Sequence, residues 1–260
     1  MTRRWLVTAS LGAALLPGAA VAGPGPWTMP AGKGRVIATA IYSHASKSFD
    51  DDGDARSAPD YDQYQLYLLG EYGLTDDLTV FANPNFGSID VENEPSSTGV
   101  GFVEVGGRYR LVQRGGFVAS AQASAIIPGH SRGDRVAQIG NTAMQYDLRG
   151  QMGYGWAGGF ASVEGGYRWR GGIEPNEIHL DLTTGVRAAP RLQLIGNLYN
   201  TRSDGAGRNG FPSYRYHNAF AGAVYDVSES IAVQVGGLAT VSGRNALRER
   251  GLFTGAWLKF

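Results

Sequence analysis

Acid–base or nucleophilic chemistry in this sequence would rest on four histidines, His44, His130, His179 and His217. Cysteine is absent, which removes thiol catalysis, zinc–thiolate sites and disulfides together. His179 and Asp181 stand two residues apart, so on a strand they share one face; Ser43-His44 and His217-Asn218 are neighbours in the chain. A serine hydrolase needs a nucleophile bonded to His and a third group that orients the ring. No such paired signature surrounds any of these histidines, so no catalytic residue is assigned and the chain reads as non-enzymatic. Asp50-Asp51-Asp52-Gly53-Asp54 crowds carboxylates around a glycine, a pattern that calcium favours, but the bidentate Glu of an EF-hand is missing downstream. It reads as a solvated loop. Arg132-Gly133-Asp134 is an adhesion-like triplet that arises often by chance and receives no function. No metal and no cofactor are expected.

The remaining candidates are charges, and their spacing is more informative than their chemistry. In Gln63–Tyr72, Tyr64, Leu66, Leu68, Gly70 and Tyr72 alternate with Gln63, Gln65, Tyr67, Leu69 and Glu71. Successive strand side chains point to opposite faces, so one face is apolar and the other carries Gln and Glu. The same parity rule sets Glu104, Arg108 and Arg110 against Val103, Val105 and Tyr109, and Asp147 and Arg149 against Tyr146, Leu148 and Tyr154. His179, Asp181 and Arg187 likewise oppose Ile178, Leu180 and Val186, while Glu164 and Arg168 continue the polar face and Lys259 opposes Leu258 and Phe260. These twelve positions (Glu71, Glu104, Arg108, Arg110, Asp147, Arg149, Glu164, Arg168, His179, Asp181, Arg187 and Lys259) are therefore expected to line one enclosed polar interior.

The elements that would position them are about twelve strands, near residues 34–46, 61–73, 78–87, 99–112, 117–127, 143–155, 160–170, 177–188, 192–201, 214–226, 231–240 and 249–260. Their links alternate. Short ones such as Leu74-Thr75-Asp76-Asp77 and Ala157-Gly158-Gly159 are followed by long ones, Phe49 to Pro59, Ser88 to Thr98, Pro128 to Thr142 and Arg202 to Ser213. Alternating strands of about ten residues with this loop asymmetry are the pattern of an antiparallel transmembrane β-barrel. A soluble sandwich also alternates, but nothing obliges it to alternate its loop lengths. Aromatics mark segment ends: Tyr72, Tyr109, Phe117, Tyr154, Trp156, Tyr225 and Phe260 near short turns, and Tyr42, Tyr64, Tyr167 and Trp169 toward long loops, as two interfacial girdles would require.

Export agrees with this reading. Arg3 and Arg4, the apolar run Trp5–Leu16 and Ala20-Val21-Ala22 form a signal peptide over residues 1–22, leaving 23–260 as the barrel with both termini on the periplasmic side. No later apolar run approaches the roughly 20 residues of a membrane helix. The 39 glycines and 13 tyrosines suit strands and girdles. With 23 positive and 23 negative side chains there is no net field and no basic stripe to bind nucleic acid.

Trp27-Thr28-Met29-Pro30-Ala31-Gly32-Lys33-Gly34, Glu71-Tyr72-Gly73-Leu74-Thr75-Asp76-Asp77-Leu78-Thr79 and the closing Gly251-Leu252 to Trp257-Leu258-Lys259-Phe260 resemble the porin-like outer-membrane family typified by the phenol meta-pathway transporter and the XagA-like proteins. The resemblance implies transport or export of aromatic compounds or polysaccharide across the outer membrane. A terminal aromatic at Phe260 resembles the signal read by the outer-membrane barrel assembly machinery. The expected surroundings are outer-membrane lipid and lipopolysaccharide, whose bridging cations the Asp50–Asp54 loop would face. The expected function is a porin-like channel for a small organic or sugar solute. Two rivals are a barrel enzyme acting on lipid or polysaccharide, and a structural barrel plugged by its own side chains.

Overall fold

A computed structural model describes residues 25–129 and 143–260; the expected leader of residues 1–22, His130 and the Arg132-Gly133-Asp134 triplet lie outside them. The chain forms β1 (Gly34–Phe49), β2 (Ala55–Gly73), β3 (Leu78–Val91), β4 (Ser97–Arg114), β5 (Phe117–Pro128), β6 (Gln145–Trp156) and β7 (Gly159–Arg170). It continues as β8 (Glu177–Ala189), β9 (Leu192–Ser203), β10 (Arg215–Asp226), β11 (Ile231–Arg244), β12 (Ala246–Leu247) and β13 (Arg250–Lys259). Neighbours in sequence pair antiparallel from β1 round to β11, β11 pairs with β13, and β13 returns to β1. The result is a closed ring of twelve strands. The extra strand, β12, adds only two pairs against Ser48 and Phe49 at the far end of β1. Closure leaves each of the twelve ring strands with a partner on both sides, which an environment without water demands of any spanning sheet.

The seam is the β1–β13 ladder, from Arg35↔Lys259 to His44↔Arg250, and Phe260 extends it by one more step. Phe260 N–H donates to Gly34 O at 3.0 Å and Gly34 N–H donates to Phe260 O at 2.8 Å. The Phe260 ring lies over Gly34, where an added Cβ would approach it to 2.6 Å. A glycine is needed at that point so that the closing ring can lie on the backbone.

Parity sorts the side chains as the sequence implies. Leu148, Leu180, Val235 and Leu252 are exposed on the outside, part of an apolar band of the kind that marks an interaction or membrane-facing surface. Tyr72, Tyr109, Tyr154, Trp156 and Tyr225 mark its short-turn edge, and Tyr42, Tyr64 and Trp169 its long-loop edge. At the long-loop edge the Tyr42 and Tyr64 rings touch at 4.9 Å, and so do Tyr167 and Trp169. Short turns are locked locally. In one, Thr75 Oγ1 accepts from the Asp77 and Leu78 amides; in another, Gly115 adopts φ 55° in the two-residue link between β4 and β5.

Two of the expected long loops are shorter than the sequence suggests. Phe49 to Pro59 contracts to residues 50–54, and Ser88 to Thr98 to residues 92–96. The ladders Phe49↔Ala55 and Ile89↔Ser97 continue past the apolar band. There, water on both faces removes the hydrophobic alternation that betrays a strand.

A charged lumen wall and a strap at its mouth

The interior is divided lengthwise. On β1, β9, β10, β11 and β13, the inward parity carries Ile37, Ile41, Ile195, Tyr199, Phe220, Val224, Leu238, Phe253 and Trp257, all buried. Tyr199 and Phe220 meet edge-on at 5.3 Å, and Phe220 meets Phe253 at 6.0 Å. Phe253 fits because its ring lies against Gly222 and Gly236, where added Cβ atoms would approach to 2.6 and 2.2 Å. β2 and β4 to β8 carry most of the charges, beside the buried Phe102, Val118 and Ile126, of which Phe102 and Ile126 pack into the same apolar cluster as Ile41, Tyr199 and Phe253.

Those charges form one connected ladder. Near the short turns, Glu71 is shared by Arg35 at 2.5 Å and Arg108 at 3.1 Å. Arg108 Nη2 donates to Gln122 Oε1 at 3.1 Å, and Gln151 reaches both Gln122 and Glu164. Arg149 then binds Glu164, Asp181 and Asp147 at 2.5, 3.0 and 2.8 Å. Arg168 continues from Asp147 at 2.8 Å to Glu177 at 3.7 Å. At the long-loop end Arg170 and Tyr214 converge on Glu177 at 3.0 and 2.5 Å. Buried charges persist only when each has partners, and neighbouring strands supply them across the register Asp147↔Arg168 and Gln151↔Glu164.

Nine of the twelve positions expected inside lie on this wall: Glu71, Glu104, Arg108, Asp147, Arg149, Glu164, Arg168, His179 and Asp181. Arg110, Arg187 and Lys259 have the inward parity but lie at the short-turn rim, in the last residues of their strands. Arg110 pairs with Asp77 at 2.7 Å, while Arg187 and Lys259 both reach Asp226 at 3.7 Å. His179 Nε2 faces Glu177 at 3.2 Å, and Asp181 is taken by Arg149 and the Asn200 amide, so the two do not form a pair. Ser43 Oγ donates to Glu249 at 2.8 Å, whereas His44 lies against Asp62. The Asp50–Asp54 loop spends its carboxylates on arginine. The Arg56 guanidinium holds Asp50 below the usual carboxylate range, and Arg244 does the same to Asp51.

The short-turn mouth is crossed by residues that precede β1. Gly32 N–H donates to Gly73 O at 2.9 Å, Ala31 N–H to Asp76 Oδ1 at 2.9 Å and Met29 N–H to Thr79 Oγ1 at 2.7 Å. From there the strap turns inward. Arg108 Nη1 donates to Trp27 O at 3.1 Å, and Ser120 Oγ donates to Pro26 O. The Trp27 indole meets Phe160 edge-on at 5.3 Å and lies on Gly153, where a Cβ would approach it to 2.8 Å. Beside the strap lies a cavity of about 70 Å³, bounded by Pro26, Leu69, Phe81, Arg108, Arg149 and Tyr199. That is room for a few water molecules at roughly 10–15 Å³ each, and not for a solute.

Comparison with solved structures finds an outer membrane channel from Pseudomonas putida F1 with a TM-score of 0.77 at 16% identity, covering 90% of this chain and 98% of that one. The fold is that of an outer-membrane barrel. The NanC porin matches with a TM-score of 0.56 at 8% identity over 85% of this chain and all (100%) of its own. The KdgM porin, solved in complex with disordered oligogalacturonate, matches with 0.50 at 10% identity, covering 85% and 99%. No family model matches the sequence, and no curated protein does.

Parity reasoning missed Glu177, although it shares a face with His179 and Asp181, and Arg35, which shares one with Ile37. It also missed the strap, for which the sequence offers no periodic signal.

Proposed function

We propose that this protein is an outer-membrane channel for a small organic or sugar solute that has one flat apolar face and one hydrogen-bonding edge. The observation that carries this reading is the make-up of the lumen, where an aromatic and aliphatic cluster on β1, β9–β11 and β13, joined by Tyr67, Phe102 and Ile126, lies beside a charged ladder inside a closed twelve-strand barrel. A planar ring or pyranose would present its face to Tyr199, Phe220 and Phe253 and its hydroxyls to the arginine–carboxylate ladder, so neither surface is desolvated without a partner. The resemblance to the phenol meta-pathway and XagA-like transporters, and the oligogalacturonate in the KdgM complex, support an aromatic or saccharide solute. In this reading both termini are periplasmic, Phe260 is the residue that the assembly machinery reads, and lipopolysaccharide surrounds the long loops.

Passage requires the strap to leave, because the cavity beside it is too small for a solute. Planar-bilayer recording tests the proposal. The full chain should open rarely and with small conductance, and a chain lacking residues 25–31 should conduct continuously. Silence from both forms would sink the channel reading, and hydrolysis of a lipid ester by the purified barrel would replace it with the enzymatic one.

A further inference from the structure

The ladder is not neutral along its length. Toward the long loops three guanidiniums, Arg149, Arg168 and Arg170, face Glu104, Asp147, Glu164, Glu174, Glu177 and Asp181. At the short-turn end the ratio reverses: Arg35 and Arg108 share the single carboxylate of Glu71. What remains of Arg108 goes to neutral acceptors, Trp27 O and Gln122 Oε1, and its Nε–H has no partner although the side chain is 1% exposed. An unbonded buried donor in a region of excess positive charge is costly, and a carboxylate is the acceptor that a guanidinium fork fits best.

The strap shows the shape of what would bring that carboxylate. The Trp27 indole lies between Phe160 and Gly153, and the carbonyl attached through its Cα and Cβ accepts from Arg108. That fragment of the chain is an aryl propionyl group with a neutral oxygen where an acid would carry a charge. We infer that the slot holding Trp27 is a binding site for an aryl alkanoate, an aromatic ring carried on a short chain ending in a carboxylate, and that the strap is its internal competitor. This deepens the channel reading and rests on it for the ligand's route, but not for its binding. Such a ligand enters from the short-turn mouth, because the excess of carboxylates farther along the ladder repels an anion.

Indole-3-propionate reproduces the Trp27 fragment with the charge added, and calorimetry on the folded full-length barrel in detergent reads its binding without a bilayer. It should bind at least about tenfold more tightly than either indole or propionate, the gain expected of one charge-assisted contact. Affinity no better than that of indole removes the carboxylate site, and affinity no better than that of propionate removes the ring slot. Trp27→Ala empties the slot and should tighten indole-3-propionate several-fold, whereas unchanged affinity would place the ligand elsewhere. Arg108→Gln should abolish the advantage over indole in protein that keeps heat-modifiable gel mobility. If that variant does not fold, the three-ligand comparison on the natural chain still decides. Binding in a barrel that carries no current would leave the site standing and reject the channel; current without selective binding would do the opposite.

Discussion

The two walls of the lumen are built from the same geometry and held by opposite physics. On β2 and β4–β8 the inward charges are fixed by what their neighbours offer: Arg149 alone touches three carboxylates from three strands. On β9–β11, β13 and β1 the apolar side chains, interspersed with Thr39, Asn197, Asn218 and Gln234, are fixed by shape, with Phe253 laid against Gly222 and Gly236. A charged wall tolerates little, because removing one member strands the others in a medium that does not solvate them. An apolar wall loses contacts in proportion to what is removed. The difference predicts unequal responses to truncation.

Arg149→Met should be the most damaging single change, leaving Asp147, Glu164 and Asp181 without their shared cation. Breaking a buried ion pair from one side costs about 3–5 kcal/mol. The measurement is the urea midpoint of the barrel refolded into lipid vesicles, followed by heat-modifiable mobility. A loss no larger than that of an apolar truncation would show that the wall is hydrated and its ions screened.

Phe253→Ala tests the other wall. Removing a buried ring costs about 3 kcal/mol or somewhat more where the surroundings cannot collapse, and glycines on both sides leave nothing to fill the space. The same change should widen the lumen on its apolar side, so that a strap-deleted form conducts more, not less. If Phe253→Ala left conductance unchanged and Arg149→Met raised it, the path would run along the charged wall alone.

The contrast also explains what could be read from the sequence. Charge on one parity is conspicuous, so Glu71, Glu104, Arg108, Asp147, Arg149 and Asp181 could be assigned to the interior before any strand was placed. Phe253 and Trp257 could not, because on β13 apolar residues occupy both parities and lipid and lumen then look alike. The closing strand was legible in the alternation of Leu252, Thr254, Ala256, Leu258 and Phe260. The strap was not. Pro26 and Trp27 belong to no strand, and their place depends on a cleft formed by residues up to about 130 positions away, such as Phe160.

The smallest expected effect concerns the exception on the apolar wall. Glu249 lies in the link between β12 and β13, beyond the Tyr42–Tyr64 girdle toward the long loops. It is buried, and its side-chain partner is Ser43. No Lys, Arg or His pairs with it among the described residues, unlike Glu71 or Glu177 on the other side. Burial therefore raises its carboxyl from the ordinary 4.5 to about 7, with the Ser43 hydrogen bond opposing only in part. The folded barrel keeps this proton over a range in which the unfolded chain has lost it. Its stabilising contribution is thus complete below about pH 4.5 and disappears as the pH rises through about 7. The full swing is at most on the order of 3 kcal/mol, at 1.36 kcal/mol per pKa unit. Urea midpoints at pH 4.5 and pH 8 should differ in that sense, with the acid side the more stable, and Glu249→Gln should shrink the difference by removing the group that titrates. An arginine on this wall would have held the carboxylate ionised, as Arg56 does for Asp50, and the slope would run the other way. If Glu249→Gln leaves the pH dependence as it was, the carboxyl has found a cation or water, and the apolar wall is less dry than its side chains imply.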